Sequence, residues 1–310
     1  MLKIANFTDL HLNDKNIGSS VGYPQQSLAN IDLMQKFCEE NEIDVAILGG
    51  DIGHKQLTRL KFISEVLTKM TKLRDSLNGN LFAIPGNHDY SSKDGFTLFD
   101  LLVSQNIVIF TKKITLNKVC IHMFPYAYYE HELVCNDTED YKVNIGIYHN
   151  NLLEPNLVSE HIGITIDPET AGLFEGMDIL IVNHIHSAHG IRRIRIGDKY
   201  AQIITPGSIG LTSYSECNRR TKVDIPILKV IDDEEGVVEI DCAPFPLPDL
   251  DKLYDAGKIL AVKQKQNAFQ QFSDRLKDIN INFLNASEEI VKKDLDPKLK
   301  EKCLHLLGKL

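Results

Sequence analysis

Apolar positions in the first 110 residues follow two different periods along the chain. Short apolar runs at Leu2–Phe7, Val45–Leu48 and 80–84 predict strands that are covered on both faces. Between them, segments 24–41 and 57–77 carry apolar residues at helical spacing and predict two amphipathic helices. This alternation of strands and helices predicts a largely parallel sheet with helices packed on its faces.

The pattern changes from about residue 106, where short strands follow one another between turn signals. Gly197-Asp198 and segment 232–236 predict hairpins, because such residues adopt the tight turns that join antiparallel strands. Two packed sheets therefore fit better than one open sheet, and the predicted fold class is α/β, a two-sheet β-sandwich flanked by helices. From residue 248 onward proline and glycine thin out, so we predict one domain at 1–247 and a helical C-terminal segment at 248–310.

Charge and cysteine usage narrow the class of protein. The net charge of −9 argues against a protein that coats nucleic acid by its global charge, although a local basic groove is compatible with it. Residues 249–310 hold 12 lysines and arginines against 10 aspartates and glutamates, so the acidic excess lies in the first domain. The six cysteines form no CxxC pair, and no apolar run reaches the ~18 residues of a membrane span. These features predict a soluble cytoplasmic protein with reduced cysteines and no membrane partner.

Aspartate, asparagine and histidine recur where the predicted strands end. The motifs are TDLH after the first strand, GGD after the second, PGNHD after the third, and later IYHN and IVNHIH. Because the loops at the carboxyl ends of strands converge in α/β folds, we expect the polar side chains of these motifs to meet. They are Asp9, His11, Asp51, Asn87, His149, His184 and His186.

Counting these ligands gives two metal ions that share the carboxylate of Asp51. One site is formed by Asp9, His11, Asp51 and His186. The other is formed by Asn87, His149, His184 and Asp51. Mixed oxygen and imidazole donors suit manganese, iron or zinc better than calcium. Each motif alone also fits a simpler interpretation, such as an aspartate that caps a turn or a packed histidine, but all five motifs in this order favour a metal centre.

The order DxH, GD, GNHD, H and HxH resembles the calcineurin-like metallophosphoesterases over about residues 1–245. The resemblance implies a two-sheet sandwich with flanking helices, and two divalent metals that activate a hydroxide for attack on phosphorus. One residue departs from the family pattern, because Asn183 stands where a glycine usually precedes the first histidine of HxH. Asparagine tolerates a left-handed backbone better than most residues, so we expect the ligand geometry to be kept.

The sequence GGDIGH, with His54 three positions after Asp51, resembles the GDxxH motif of the SbcD-type double-strand-break repair nucleases. Segment 205–216, TPGSIGLTSYSE, resembles a second segment of the same group. This resemblance implies a DNA exonuclease and endonuclease in repair, recombination or replication, with manganese as the metal and magnesium, iron(II) and zinc as alternatives. It also implies that His54 contacts the substrate phosphate and that His88 stabilises or protonates the leaving 3′ oxygen. A surface loop histidine is the simpler interpretation of His54.

A DNA substrate needs backbone contacts that the overall charge does not supply. Three basic residues just after this second segment are the candidates: Arg219, Arg220 and Lys222. The preceding hairpin carries a second cluster, for which a solvated strand face is at least as good an interpretation: Arg192, Arg193 and Arg195.

About 60 residues follow the phosphoesterase region, too few for both the capping domain and the helical segment of cellular SbcD-type proteins. The shorter chain resembles bacteriophage versions, which would place it in a host cytoplasm. The resemblance implies that apolar stripes in 253–283 and 299–307 dock an SbcC-type, SMC-like ATPase subunit, and a homodimer is compatible with it. Two rival functions stay open: a small-molecule or cyclic-nucleotide phosphodiesterase of the same fold, and a scaffold without catalytic activity.

Overall fold

The computed structural model of the chain describes residues 1–17, 20–54, 57, 59–90, 96–126, 138–150, 152–153, 164–165, 174–196, 199–212, 222–248, 253–254, 296–298 and 301–302. The chain divides into two compact units, Met1–Asp255 and Ala256–Leu310. In the second unit, the N–H of Lys298 donates to Asp296 Oδ1 over 3.0 Å at the start of a helical turn. Among the described residues, no helix is both long and apolar enough to cross a membrane.

The elements below are those of the described part of the first unit. The strands are β1 (Leu2–Phe7), β2 (Val45–Leu48), β3 (Leu81–Ala83), β4 (Lys113–Leu116), β5 (Val119–Phe124), β6 (Val143–His149), β7 (Leu152–Leu153), β8 (Ile164–Thr165), β9 (Ile179–Asn183), β10 (Gly190–Ile196), β11 (Lys199–Thr205), β12 (Lys222–Asp232) and β13 (Val237–Pro246). The helices are α1 (Tyr23–Glu40), α2 (Leu60–Ser76) and α3 (Leu98–Ser104), and short 3-10 turns lie at Asn87–Asp89 and Thr138–Asp140.

The first sheet has five strands in the order β13-β12-β1-β2-β3. Its centre is parallel, because α1 and α2 return the chain to the same end of the sheet before β2 and β3. β12 runs antiparallel to β1, with Ala5 opposite Ile227, and therefore begins at the edge where β1 ends. β13 pairs with β12 as a hairpin at the outer edge.

The second sheet has six strands in the order β10-β11-β9-β6-β5-β4. β5, β6, β9 and β11 run parallel, and the antiparallel strands β4 and β10 form its two edges. The strand β10 is joined to β11 as a hairpin, with Ile196 opposite Lys199. A separate two-stranded parallel pair is formed by β7 and β8.

Alternate residues of the central strands face two different cores. Ile47 of β2 packs with Ile121 and Ile181 of the second sheet, so this core lies between the two sheets. Leu48, one position further, belongs to the core beneath the helices, together with Phe62 of α2. Since neighbouring residues of a strand point to opposite faces, a continuous apolar run supplies both cores. The predicted two-sheet sandwich with flanking helices is confirmed.

The predicted elements of the first 110 residues are confirmed with small shifts at their ends. The helices predicted at 24–41 and 57–77 are Tyr23–Glu40 and Leu60–Ser76. The hairpin predicted at 232–236 joins β12 to β13. The paired strands β10 and β11 flank the hairpin turn predicted at Gly197-Asp198, and the two turn residues themselves lie outside the described residues.

Residues just beyond the predicted domain end pack on the first unit. Leu253 and Tyr254 are buried, at 4% and 3% exposure. The carbonyl oxygen of Leu253 accepts from the N–H of Val21 over 2.6 Å, and the Tyr254 hydroxyl donates to the carbonyl oxygen of Leu211 over 2.7 Å. The first unit therefore extends to Asp255, eight residues past the predicted end at 247. Most of the C-terminal segment predicted to be helical and to dock a partner lies outside the described residues.

Candidate metal centre

The parallel strands of both sheets end at one edge, and the polar motifs follow these ends. The loops of the first sheet carry Asp9, His11, Asp51 and Asn87. The second sheet contributes His149 at the end of β6, and His184 and His186 after β9. Ligand candidates from both sheets of the sandwich thus come within a few ångströms of one another, as the following distances show.

One group of ligand atoms surrounds Asp9 Oδ1. The Nε2 atoms of His11 and His186 lie 3.8 and 3.5 Å from this oxygen and 3.0 Å from each other. His11 Nε2 also lies 3.8 Å from Asp51 Oδ2. The Asp9 and His11 side chains are fully buried. These atoms therefore converge on a small space that is shielded from solvent and suited to a metal ion.

A second group surrounds the Asp51 carboxylate. His149 Nε2 lies 3.4 Å from Asp51 Oδ1, and His184 Nδ1 lies 4.0 Å from Asp51 Oδ2. Ligand atoms of Asp9, Asp51, His149 and His184 all lie within 4.8 Å of one another. Asp51 faces both groups, as a carboxylate shared by two ions must, and Asp9 borders the second group as well.

Five buried ligand atoms have no hydrogen-bond partner among the described residues. They are Asp9 Oδ1, Asp51 Oδ2, Asn87 Oδ1, His149 Nε2 and His184 Nδ1. A buried polar atom without a partner costs about 1–3 kcal/mol, so such a concentration in one place is costly unless cations bind there. The donor set of carboxylate, amide and imidazole groups fits a pair of divalent cations, which when bound stabilise charge on a phosphate and acidify water.

Burial and neighbouring charges shift the pKa values of the ligands in opposite directions. Burial raises the pKa of the Asp9 carboxyl, but the adjacent His186 and His149 rings outweigh it and hold this pKa well below its usual range. Burial lowers the pKa of His11 to about 3, although the carboxylates of Asp51 and Asp9 act against it. Burial also disfavours a proton on His149, yet the adjacent Asp51 carboxylate raises the pKa of His149 to about 9. In the metal-free protein, an imidazolium at His149 offsets part of the carboxylate charge.

The backbone of the ligand loops is held in an uncommon conformation. Four of the predicted ligands have positive φ angles: Asp9 (53°), His11 (48°), Asp51 (51°) and His184 (76°). Left-handed residues other than glycine are uncommon, and strained backbone of this kind concentrates at functional sites. Gly50 and Gly86 allow the loops to approach one another, because a Cβ at Gly50 would overlap the His149 ring and one at Gly86 would overlap the Asp51 carboxylate.

The first two loops are joined by backbone hydrogen bonds that continue the pairing of β1 with β2. The N–H of His11 donates to the carbonyl oxygen of Asp51 over 2.9 Å, and that of Leu12 to Ile52 over 2.8 Å. In the reverse direction, the N–H of His54 donates to the carbonyl oxygen of Leu12 over 3.1 Å. These bonds fix the spacing between the two ligand loops.

The Asp89 carboxylate joins the second loop to the third. It accepts from the N–H groups of Ile52 and Gly53 over 3.1 and 2.9 Å, and from the N–H of Gly86 over 2.9 Å. Burial and the charge of Asp51 raise the pKa of Asp89 to about 6, although these N–H groups act against the rise. Asp89 is not among the residues predicted from the sequence. The signal that could have found it is its place at the end of the GNHD motif, two positions after the ligand Asn87.

The segment that begins PGS supports two ligand loops through its backbone. The N–H of Gly210 donates to the carbonyl oxygen of Asp9 over 2.8 Å, and the N–H of Ser208 donates to that of His186 over 3.1 Å. A Cβ at Gly210 would lie 2.5 Å from the carbonyl oxygen of Leu10, so only glycine fits there. The described part of this segment, up to residue 212, thus positions metal ligands.

The model of the calcineurin-like phosphoesterase family matches residues 2–197, well over half of the chain. The chain belongs to the calcineurin-like phosphoesterase family. Its members hydrolyse phosphoesters with two divalent metals. The ligand loops described above lie within the matched region. The strands that precede His149 and the HxH motif, β6 and β9, lie there too.

Two solved structures of other phosphoesterases are similar to this chain. A novel archaeal phosphodiesterase is 17% identical over 78% of this chain and 100% of its own, with a TM-score of 0.36. A protein assigned as a 5′-nucleotidase from Staphylococcus aureus, in complex with alpha-ketoglutarate, is 15% identical over 86% of this chain, with a TM-score of 0.45. The chain spans 58% of the length of that protein. No curated protein matches the sequence.

The two further histidines of this phosphoesterase lie beside the metal ligands. The His54 and His88 rings stack with centroids 5.0 Å apart and an interplanar angle of 18°. His88 Nδ1 lies 2.9 Å from the carbonyl oxygen of His54, and the N–H of His88 donates to Asp51 Oδ1 over 2.8 Å. His54 Nδ1 lies 3.4 Å from His11 Nδ1. Both predicted catalytic residues are therefore placed at the metal centre.

The expectation for Asn183 is wrong in its physical reason. Asn183 is the last residue of β9 and does not have a positive φ; the left-handed residue is the next one, His184. The fully buried Asn183 side chain instead packs against Gly49, and its Oδ1 accepts from Asn6 Nδ2 over 2.9 Å. This bond links β9 of the second sheet to β1 of the first, directly beneath the ligand loops.

The predicted DNA-contact residues are only partly described. Arg219 and Arg220 lie outside the described residues. Lys222 is exposed at the first position of β12, and its Nζ lies 3.3 Å from Asp224 Oδ1. Because β12 begins where β1 ends, Lys222 lies at the edge of the first sheet that carries the metal ligands.

Restoring the family residue at position 183 is expected to destabilise this protein. Asn183→Gly removes the acceptor of Asn6 and leaves a buried amide unpaired, so unfolding should become easier by about 1–3 kcal/mol in a denaturant titration. The single variants Asn6→Ala and Asn183→Ala and their double variant are the control. The loss in the double variant should be smaller than the sum of the losses in these two single variants. An Asn183→Gly protein as stable as the unchanged chain would contradict a stabilising cross-sheet bond.

The shared position of Asp51 predicts how two substitutions divide the metal sites. Asp51→Asn should weaken both sites by at least about tenfold, because the carboxylate faces both ligand groups. Asn87→Ala should weaken one site and leave the other, which contains His11 and His186, close to its original affinity. Calorimetric titration of manganese into the metal-free proteins measures both. Two sites of undiminished affinity in Asp51→Asn would show that this carboxylate does not bridge two ions.

Proposed function

We propose that this phosphoesterase is a manganese-dependent DNA nuclease of the SbcD type that hydrolyses phosphodiester bonds as an exonuclease and endonuclease. The observation that carries the proposal is the imidazole pair of His54 and His88 beside the ligand His11. The His88 ring centroid lies 4.9 Å from that of His11. The GDxxH spacing that resembles the SbcD-type nucleases thus involves a histidine at the metal centre rather than one in a distant surface loop.

His88 is suited to give a proton to a leaving oxygen. Its Nδ1 carries a hydrogen, because the atom 2.9 Å away is a carbonyl oxygen, which can only accept. The second proton of an imidazolium would then sit on Nε2 of this exposed side chain. The alkoxide released from a DNA phosphodiester is a poor leaving group, and a positioned general acid contributes typically about 10²- to 10⁴-fold to such a step.

The described members of the two basic clusters differ in their distance from the metal edge. Lys222 lies at that edge, as described above. Arg193 pairs with Gln202, which in turn pairs with Ile179 at the start of β9, the end of the sheet opposite to the metal ligands. The Arg193 guanidinium also stacks over the Tyr200 ring at 4.5 Å. The β12 side is therefore the better candidate for contacts to the DNA backbone near the scissile phosphate.

The rival within the same fold is a phosphodiesterase for cyclic or other small nucleotides. Both enzymes would turn over a simple aryl phosphodiester, so that substrate does not separate them. The deciding experiment compares an end-labelled linear DNA duplex with a cyclic nucleotide, each with manganese at equal substrate concentration. Cleavage of the duplex at much higher kcat/KM supports the nuclease, and the reverse preference contradicts it.

Two variants of His88 separate proton transfer from loop packing. His88→Ala and His88→Asn should both lower DNA cleavage by about 10²- to 10⁴-fold, because neither can supply a proton. The asparagine amide can still donate to the carbonyl oxygen of His54, so His88→Asn controls for the packing of the loop. Both variants should retain two bound metals in elemental analysis. Full cleavage by His88→Asn would show that the ring serves only to hold the loop.

We further propose that the C-terminal segment docks an SbcC-type, SMC-like ATPase. Support comes from its apolar residues at helical spacing and from a near balance of charge that the acidic first domain lacks. The contacts of Leu253 and Tyr254 with Val21 and Leu211 indicate that these two residues belong to the phosphoesterase and not to the docking segment.

Truncation after Asp255 tests this assignment. The shortened protein should stay folded and bind two metals, because the buried contacts of residues 253–254 are kept, and it should no longer copurify with a coexpressed SbcC-type ATPase. Truncation after Pro248 is the comparison and should lower the unfolding temperature, because it removes Leu253 and Tyr254. Copurification of the Asp255 truncation with the ATPase would place docking elsewhere.

A further inference from the structure

His54 lies on the opposite side of the His11 ring from the metal ligands. His11 Nε2 faces Asp9 Oδ1 and Asp51 Oδ2 at 3.8 Å each. His11 Nδ1, at the other corner of the ring, lies 3.4 Å from His54 Nδ1. Among the described residues, His54 supplies the hydrogen-bond partner of this nitrogen. The His11 side chain is fully buried.

The tautomer of His11 follows from this arrangement. A neutral imidazole has one lone pair, so a ring that binds a metal through Nε2 must carry its hydrogen on Nδ1. That N–H then donates to His54 Nδ1, which must be the accepting nitrogen of a neutral ring. The opposite arrangement, with the hydrogen on His54 Nδ1, would leave His11 protonated at Nε2 and unable to bind a metal.

We propose that His54 is a positioning residue for the metal centre, which acts by fixing the tautomer and ring orientation of His11. This role differs from contact with the substrate phosphate, and it does not depend on DNA being the substrate. The backbone supports it: the N–H of His54 donates to Leu12 and its carbonyl oxygen accepts from His88 Nδ1, so the residue is held at both ends. Groups that hydrogen-bond the far nitrogen of a metal-binding histidine orient the ring and raise its basicity.

Three variants of His54 separate this role from loop packing. In His54→Asn the amide Oδ1 can take the place of Nδ1 as acceptor, whereas in His54→Gln the amide lies one bond further out. His54→Ala and His54→Gln should weaken manganese binding at the His11 site by about 10- to 100-fold, with the second site less affected. His54→Asn should bind close to the unchanged protein. Calorimetric titration without any DNA gives this result independently of the nuclease proposal.

A spectroscopic measurement reports the tautomer directly. In protein loaded with diamagnetic zinc and labelled with nitrogen-15, long-range proton–nitrogen correlation should show His11 with its hydrogen on Nδ1 and that of His54 on Nε2. In His54→Ala the His11 signals should broaden or shift, because water replaces a fixed acceptor. As a control in the other site, Asn87→Ala should weaken its own metal and leave the His11 signals in place.

Two outcomes would overturn the proposal. One is manganese binding by His54→Ala that equals that of the unchanged protein. The other is equal weakening by His54→Asn and His54→Ala, which would mean that the acceptor atom has no role. If His54→Ala does not fold, the comparison of His54→Asn with His54→Gln decides alone. Loss of DNA cleavage in His54→Ala that excess manganese does not restore, with metal binding intact, would favour contact with the phosphate instead.

Discussion

Two carboxylates, Asp9 and Asp51, are buried beside one imidazole nitrogen of His11, 3.8 Å from an oxygen of each, and each repels the other's charge. Charges buried this closely are costly unless cations or protons compensate them. In the metal-free protein, protonation of His149 supplies part of the compensation. Two divalent cations would supply the rest, and the positions of the surrounding loops follow from that requirement.

The loops hold this costly arrangement through backbone contacts. Asp89 fastens the second loop to the third, and the backbone around Gly210 fastens the first loop to a distant segment. The left-handed conformations at the ligands persist because several hydrogen bonds hold each loop at the same time. The cross-sheet bond of Asn6 and Asn183 is one of them. The sandwich thus serves as a rigid support that brings donors from both sheets to one edge.

The sequence is sufficient to predict β1, β2, β3, α1 and α2, because apolar period and turn residues are local signals. It also indicates that Asp9 and His184 lie close together, since both follow strands whose ends share an edge. It does not predict contacts between residues far apart in sequence. Examples are the hydrogen bond of Asn6 with Asn183 and that of the Tyr254 hydroxyl with the carbonyl oxygen of Leu211. The left-handed residue after β9 is His184, one position later than the sequence predicts, because Asn183 ends the strand and packs against Gly49.

Anomalous diffraction from crystals soaked in manganese tests whether the Asp51 carboxylate is shared by two ions at the common edge of the two sheets. We expect two anomalous peaks about 3.5–4 Å apart, both within bonding distance of the Asp51 carboxylate. One peak should lie next to His11 Nε2 and His186, and the other next to His149 and Asn87. A single peak, or two peaks of which only one touches Asp51, would contradict a shared carboxylate.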